Sequence, residues 1–408
     1  MNDPPPLRPT GAAPPWLGPL VVTVLMQIAL SFLHRLIPVI GPVVTDSAGV
    51  PAEWIGHLAA LNTVGAMSFL VFGGPLLHRF GPVRSLQIGA LIGSAGLMLT
   101  LSGNWPLMML SALLGGLAYG PSPPAGSDIL ARHAPARHRG VIFSIKQAGV
   151  PLGGAAAGLL VPWLVEAFGW QAALAIAGLL AALTVPMVQP WRAPIDGPGE
   201  HRARLPMTAL LSFASLRRPF AVLRATPLLV RLSFAGFAFA VAQGCLFSFQ
   251  ATFLNVGVGL SLAAAGTLFA LSQGVGVPGR IFSGWMADRL GSGARMLMLL
   301  GIGSAAMMVA TGLMTAQWSL SAMILCSALA GLTVGTWNGV YLAEVAAAAP
   351  LGEIAEATSG STFLTFIGYV VGPPVFSLIV ASGAGYGPAF MAAGAMPLVA
   401  AVALARIR

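Results

Sequence analysis

The sequence predicts an all-α membrane protein of twelve transmembrane helices, arranged as two pseudo-symmetric six-helix bundles, and three observations carry the prediction. Charged residues make up 8% of the 408 residues, against 57% for the AVILMFWYC set. A soluble domain carries about 25% charge, so this chain has too little to cover a water-facing surface of its size. Twelve apolar runs reach the roughly 20 residues that a helix needs to cross a bilayer core. Landmarks of the first half also recur in the second, 210 to 215 residues later.

The runs lie at about 17–43, 53–77, 84–102, 106–130, 140–166, 171–188, 227–254, 261–287, 295–315, 319–346, 355–381 and 386–405. Between the sixth and seventh, Gln189 to Thr226 carries Arg192, Arg202, Arg204, Arg217, Arg218 and Arg224. The chain thus divides into a tail (1–16), a bundle (17–188), a central loop (189–226) and a second bundle (227–408). Of the 20 Lys and Arg, 16 fall in the tails or in the loops after even-numbered spans, while loops on the other side hold acids such as Asp46 and Glu166. By the positive-inside rule both termini and the central loop are cytoplasmic. Within that loop, LPMTALLSFASLRRPFAVL reads either as an amphipathic segment on the membrane surface or as a solvated linker. The proline-rich start, MNDPPPLRPTGAAPPW, lacks a basic n-region and a cleavage site, so no cleaved signal is expected.

The formal net charge of +9 does not indicate nucleic acid, because no dense basic run with interleaved aromatics occurs. Cys245 and Cys326 stand singly in apolar segments and read as buried small hydrophobes. Neither a cofactor nor a metal site is expected, and without a GxxxxGK[ST] stretch ATP drive is not expected either.

The repeat is specific. Gly74, His78, Arg79, Gly81 and Arg84 in GGPLLHRFGPVR match Gly284, Asp288, Arg289, Gly291 and Arg295 in GWMADRLGSGAR. GLAYG (116–120) and Pro135 match GLTVG (331–335) and Pro350. With GVPLGGAAAG at 149–158, these segments resemble the loop motif G-x-x-x-D-R-x-G-x-R/K and the glycine-rich fifth helix of the major facilitator superfamily. The resemblance spans essentially the whole chain. It implies a secondary transporter in a bacterial inner membrane, acting as a monomer, whose two bundles rock about a central cavity.

The first motif copy departs from the family pattern by placing His78 where an aspartate is usual. The resemblance sets that loop against the start of helix 11, near Glu353 and Glu356, and its counterpart against Arg137, His138 and Arg139. Two readings stand open: a gate of exchanged polarity, with His78 and Arg79 facing acids and Asp288 facing bases, or drift at a tolerant loop position. Asp128 and Glu344, at related places in helices 4 and 10, are expected to pair with Arg84 and Arg295, and Arg289 belongs to the same gating set.

Four cations lie outside loops: Arg35, Lys146, Arg231 and Arg280. Arg231 is near a helix end and can snorkel. A central charge costs at least roughly 2.5–3.5 kcal/mol on insertion scales, so the other three need a reason. At 1.5 Å per residue, Arg280 lies about 12 Å and Lys146 about 9 Å inside the cytoplasmic edge. The resemblance puts helices 5 and 8 along the central cleft, so both are expected to flank it. Arg35 reads equally as an outer-cavity residue or an interfacial anchor. None of the 11 acids falls at the midplane, and buried cations without carboxylates invite an anionic ligand.

R-x-x-x-G-x-x-x-D at 280, 284 and 288 is also similar to helix 8 of monocarboxylate and oxalate/formate transporters, which implies that Arg280 binds a carboxylate; a gating role remains the alternative. Tyr119, Gln147, Gln243, Trp337 and Asn338 are the candidate polar partners, unless helix–helix hydrogen bonds account for them. The expected activity is transport of a small organic anion, with a proton or a counter-anion as coupling partner and His34 as one proton carrier. The alternative is a drug/proton antiporter exporting neutral or amphiphilic compounds. The 17 Met also raise a metal transporter, but Met commonly fills gaps in apolar packing. No nucleophile–base set suggests an enzyme.

Overall fold

The computed structural model describes residues 15–197, 220–224, 226–350 and 353–405. The described residues form helices and no strand. Twelve helices cross the molecule: α1 Leu17–Val39, α2 Ile55–Phe72, α3 Pro82–Met98, α4 in two pieces (Trp105–Tyr119 and Ser122–His133), α5 Arg139–Phe168, α6 Trp170–Asp196, α7 Pro227–Thr252, α8 Leu262–Leu290, α9 Gly293–Gly312, α10 in two pieces (Leu320–Val334 and Asn338–Ala348), α11 Ile354–Ile379 and α12 Tyr386–Ala405. Eleven spans are unbroken or nearly so and apolar enough to cross a bilayer; α4 is the twelfth, interrupted at Gly120–Pro121. Side chains such as Leu179 (60% exposed), Ile281 (66%) and Leu378 (65%) stand on the outer surface, an arrangement that suits lipid and not water.

Local chemistry sets the helix starts. Asn104, Thr226, Ser261, Ser292 and Ser319 each accept a backbone N–H three residues on, which satisfies a donor that a helix start leaves open. The glycines of the repeated loop motif have a similar cause: Gly81 (φ 83°) and Gly291 (φ 62°) adopt positive φ, where a Cβ is unfavourable.

The two broken helices share one design. Gly116 of α4 lies against the Asn62 backbone of α2, and Gly331 of α10 against the Ser272 backbone of α8. A Cβ at either position would overlap a carbonyl oxygen. The repeated GLxxG segments therefore mark equivalent helix contacts in the two halves.

One end of the molecule carries the loops at 73–81 and 133–139, the helix ends Leu17, Asp196 and Ala405, and most of the arginines; it is termed the basic end. At the opposite end the halves share one apolar core. Leu36, Ile40, Ile55 and Leu58 of the first half pack with Phe249, Phe253 and Phe376 of the second, and Phe249 stacks on Phe376 at 4.1 Å. Ser377 Oγ also donates to the Glu53 carbonyl at 2.5 Å across the halves. At the basic end the cores are separate: Val22, Met26, Val83, Leu86 and Ile195 in one half, Leu229, Leu232, Leu297, Val345 and Leu404 in the other. The space between the halves is thus sealed at the far end and opens toward the basic end.

Helix α6 runs on to Asp196, beyond the expected end at 188, despite Pro186, Pro190 and Pro194. It stops at Gly197, with φ 73°. Asp196, expected in a loop, is 6% exposed. Its carboxylate accepts the backbone N–H groups of Val83 (2.8 Å) and Arg84 (3.2 Å), so it caps α3 from another helix. In the second half Glu344 of α10 accepts from Gly293 N at 2.9 Å and caps α9 instead. Asp196→Ala should cost about 1–2 kcal/mol of stability, read as a lower unfolding temperature in detergent.

The expected gating pairs take other partners. Asp128 pairs with Arg132 at 2.7 Å rather than with Arg84, and the Arg84 guanidinium donates to Gln87 at 3.1 Å. Arg295 contributes its backbone N–H to Ser292 and forms no pair with Glu344. Arg79 lies over Phe80 and Arg289 over Trp285. Asp288 forms no ion pair among the described residues. Most of the amphipathic central segment, Arg202, Arg204, Arg217 and Arg218 lie outside the described residues.

Candidate binding cavity

A cavity of about 260 Å³ lies between the halves, lined from α1, α2, α4, α5, α7, α8, α10 and α11. That size is near the lower end of ligand pockets, about 300–1,000 Å³, and suits a small molecule. Its described lining contains Arg35 and Arg280 and no aspartate or glutamate.

Arg35 projects from α1, and its guanidinium lies 5.2 Å from the Phe247 ring centroid of α7. That ring contact crosses the halves, and no hydrogen bond or ion pair engages the guanidinium among the described residues, so its five N–H donors remain available. Arg35 thus lines the same cavity as Arg280, between the halves, and not a separate outer cavity.

Arg280 is held differently. Its Nε donates to the Gly335 carbonyl and its Nη1 to the Gln147 carbonyl, each at 3.4 Å. Both bonds are long for N–H···O contacts, whose usual range is about 2.7–3.2 Å. Gly335 caps the first piece of α10, where carbonyls lack helical partners and the helix dipole is negative. The break in α10 therefore positions a cation.

Uncharged groups complete the wall. Gln243 accepts from Trp337 Nε1 at 3.1 Å and from the Tyr369 hydroxyl, which fixes its amide and leaves its NH2 group free among the described residues. Trp337 is fully buried and stacks on Phe239 at 5.3 Å, so it supports Gln243 from behind. Tyr119 faces His34 at 4.8 Å between ring centroids. Gln27, itself held by Ser122 at 2.8 Å, donates to the Tyr119 hydroxyl at 3.5 Å. Asn62 Oδ1, Gln273 Nε2 and Asn338 Oδ1 are buried lining atoms without a hydrogen-bond partner among the described residues.

Seven of the eight sequence-derived candidates meet here: Arg35, Tyr119, Gln147, Gln243, Arg280, Trp337 and Asn338. Lys146 does not. It is 2% exposed and turned toward Gly126 of α4, with Nζ donating to Gln147 Oε1 at 3.1 Å. Its depth places it in the layer of Arg280, but successive helix residues point about 100° apart; Gln147 takes the cavity side and Lys146 the α4 side. Tyr369, Asn62 and Gln273 were missed by sequence reasoning, although each is a polar residue within an apolar span.

Comparison with known proteins agrees with this architecture. The profile of the Major Facilitator Superfamily matches residues 20–349. An uncharacterized MFS-type transporter of Mycobacterium tuberculosis is 26% identical over 402 residues, covering 98% of this chain and 86% of that protein. The 3-(3-hydroxy-phenyl)propionate transporter of Escherichia coli is 26% identical over 69% of this chain and 72% of its own length. The 4-hydroxybenzoate transporter PcaK of Pseudomonas aeruginosa is 26% identical, with 61% of each chain covered. Among solved structures, a peptide transporter in complex with sulfate superposes with a TM-score of 0.76 at 18% identity, over 98% of this chain and 96% of that one. A bacterial homolog of the human lysosomal transporter Spinster, in an inward-facing conformation, gives 0.70 at 17% identity, over 97% and 96%.

Proposed function

Since this chain belongs to the Major Facilitator Superfamily, and is a transporter and not an enzyme, we propose that it carries a small organic anion by alternating access, and that the anion is an aromatic carboxylate. The observation that carries this reading is the cavity lining: two guanidiniums and no carboxylate. A guanidinium stays protonated throughout the physiological range, and removing it from water without a counter-charge costs several kcal/mol. A ligand carboxylate supplies that counter-charge and can accept two parallel N–H bonds from one arginine.

The aromatic part of the proposal has two supports. Phe247, Tyr119, Tyr369 and Phe366 line the same small space, where an aromatic ring gains from offset or edge contacts. Relatives covering a third to two thirds of this chain are transporters of 4-hydroxybenzoate, gallate and 3-(3-hydroxy-phenyl)propionate. A phenol hydroxyl would find an acceptor in Asn62 Oδ1 or Asn338 Oδ1.

In the same proposal the basic end faces the cytoplasm of a bacterial inner membrane, because its loops carry the arginines. The cavity is then open inward and sealed outward. One chain encloses the whole cavity, so a monomer suffices for transport. A proton or a counter-anion accompanies the substrate.

The test is flux into proteoliposomes. Labelled 4-hydroxybenzoate should accumulate, and unlabelled gallate should compete better than organic amines. Transport of amines or drug cations with no flux of any acid would overturn the proposal. Lys146→Met should leave the affinity for 4-hydroxybenzoate within about twofold, since its ammonium does not reach the cavity; a loss of tenfold or more in equilibrium binding would show that it does.

A further inference from the structure

Helices α5 and α8 cross between the halves, and their contacts can be followed along the crossing. Gly158 meets Gly266 near the sealed end, where a Cβ on Gly158 would stand 2.6 Å from the Gly266 carbonyl. Next, a Cβ on Gly154 would stand 2.9 Å from the Gln273 side chain, and one on Gly276 3.9 Å from Pro151. Gln147 then meets Arg280. One turn further toward the basic end, Gly284 has no neighbouring atom within 4 Å of where its Cβ would be. Of these contacts, the Arg280–Gln147 bond lies nearest the basic end.

The acceptor in that bond is available for a reason written in the sequence. In an α-helix the carbonyl of residue 147 is the partner of the N–H of residue 151. Residue 151 is Pro151, inside α5, and proline has no N–H to give. Gln147 O is thus released by its own helix and faces the cavity, where Arg280 takes it.

We propose that Pro151 makes the Gln147 carbonyl a built-in competitor for the substrate, holding Arg280 across the halves until a carboxylate displaces it. This rests on the reading of the cavity as a carboxylate site. The exchange is favourable in the required direction: two long bonds to neutral carbonyls, each at 3.4 Å, give way to a carboxylate that brings the opposite charge and can accept two parallel N–H bonds from the one guanidinium. Substrate binding then frees the guanidinium from α5 of the opposite half, at the position where that half must move if the basic end is to close. Pro151 acts here as a positioning residue, through a backbone atom four residues away.

The experiment is equilibrium binding of 4-hydroxybenzoate, gallate and 3-(3-hydroxyphenyl)propionate to the purified full chain. It compares the wild type, Pro151→Ala and each in an Arg280→Gln background. Pro151→Ala restores an N–H that competes for Gln147 O, so the hold of α5 on Arg280 weakens. Affinity should rise about three- to tenfold, the equivalent of one net hydrogen bond, and the gain should vanish when Arg280 is absent. Pro151→Ser, which restores the same N–H, should behave alike. Unchanged or weaker binding in both proline variants, or a gain that persists without Arg280, overturns the competitor while leaving the carboxylate reading intact. If none of the acids binds the wild type, the carboxylate reading fails and the competitor falls with it.

Discussion

Arg280→Gln should weaken carboxylate binding about 100-fold or more, while the protein remains folded. The magnitude follows from removing one partner of a desolvated charge pair, which typically costs 2–5 kcal/mol. Gln keeps a donor at the level of the Arg280 Nε, which meets the Gly335 carbonyl at 3.4 Å, but it carries no charge and ends two atoms short of the Nη1 that meets the Gln147 carbonyl. The loss should therefore appear in ligand affinity and not in unfolding temperature. Arg35→Gln should give a smaller loss in the same assay, because the Phe247 ring contact fixes its position less strictly than two directed bonds. Equal affinity of Arg280→Gln and wild type for 4-hydroxybenzoate, measured by titration of purified protein, would return Arg280 to a purely structural role.

The second large effect concerns folding. Gly116→Ala and Gly331→Ala should each destabilise the protein by about 3 kcal/mol or more, at the upper end of overpacking costs. In both cases the added methyl meets a backbone carbonyl of the neighbouring helix, that of Asn62 or Ser272. A flexible side chain could turn away; a carbonyl inside a helix cannot move without shifting the helix. Gly284→Ala is the matched control, because nothing lies within 4 Å of its Cβ position, and it should unfold at the wild-type temperature or slightly above. Thermal unfolding in detergent, with size exclusion to detect loss of the monodisperse peak, separates these cases. If all three substitutions behaved alike, the close α2–α4 and α8–α10 contacts would not be what the repeated GLxxG segments encode.

The large-scale fold was legible because a bilayer imposes a length and a composition on each helix. The helix ends were less so. Pro186, Pro190 and Pro194 resemble stop signals, yet α6 continues through them to Asp196, and the actual end is the positive φ of Gly197. Reading a loop there hid the capping role of Asp196. The expected Asp128–Arg84 pair failed for a related reason. Asp128 instead finds Arg132 one turn along its own helix, an i,i+4 neighbour that is always in reach.

In the cavity, charge was the informative signal. An arginine in an apolar span is costly enough to demand a function, and both Arg35 and Arg280 line the site. Lys146 satisfied the same criterion and is nonetheless elsewhere, since depth along a helix does not determine which face a side chain takes. Tyr369 carries no charge and drew no attention, although it fixes Gln243. The carbonyl of Gln147 has no sequence signature of its own; only Pro151, four residues on, announces it.

The central claim is that this cavity selects negative charge. The most direct measurement compares 4-hydroxybenzoate with its neutral isostere 4-hydroxybenzamide and with 4-hydroxybenzylamine, by calorimetric titration of the same wild-type preparation. Binding of the acid, with the amide weaker by about 100-fold or more and the amine undetectable, is the result that two unpaired guanidiniums and a carboxylate-free lining predict. Equal binding of acid and amide, or preferential binding of the amine, would contradict it.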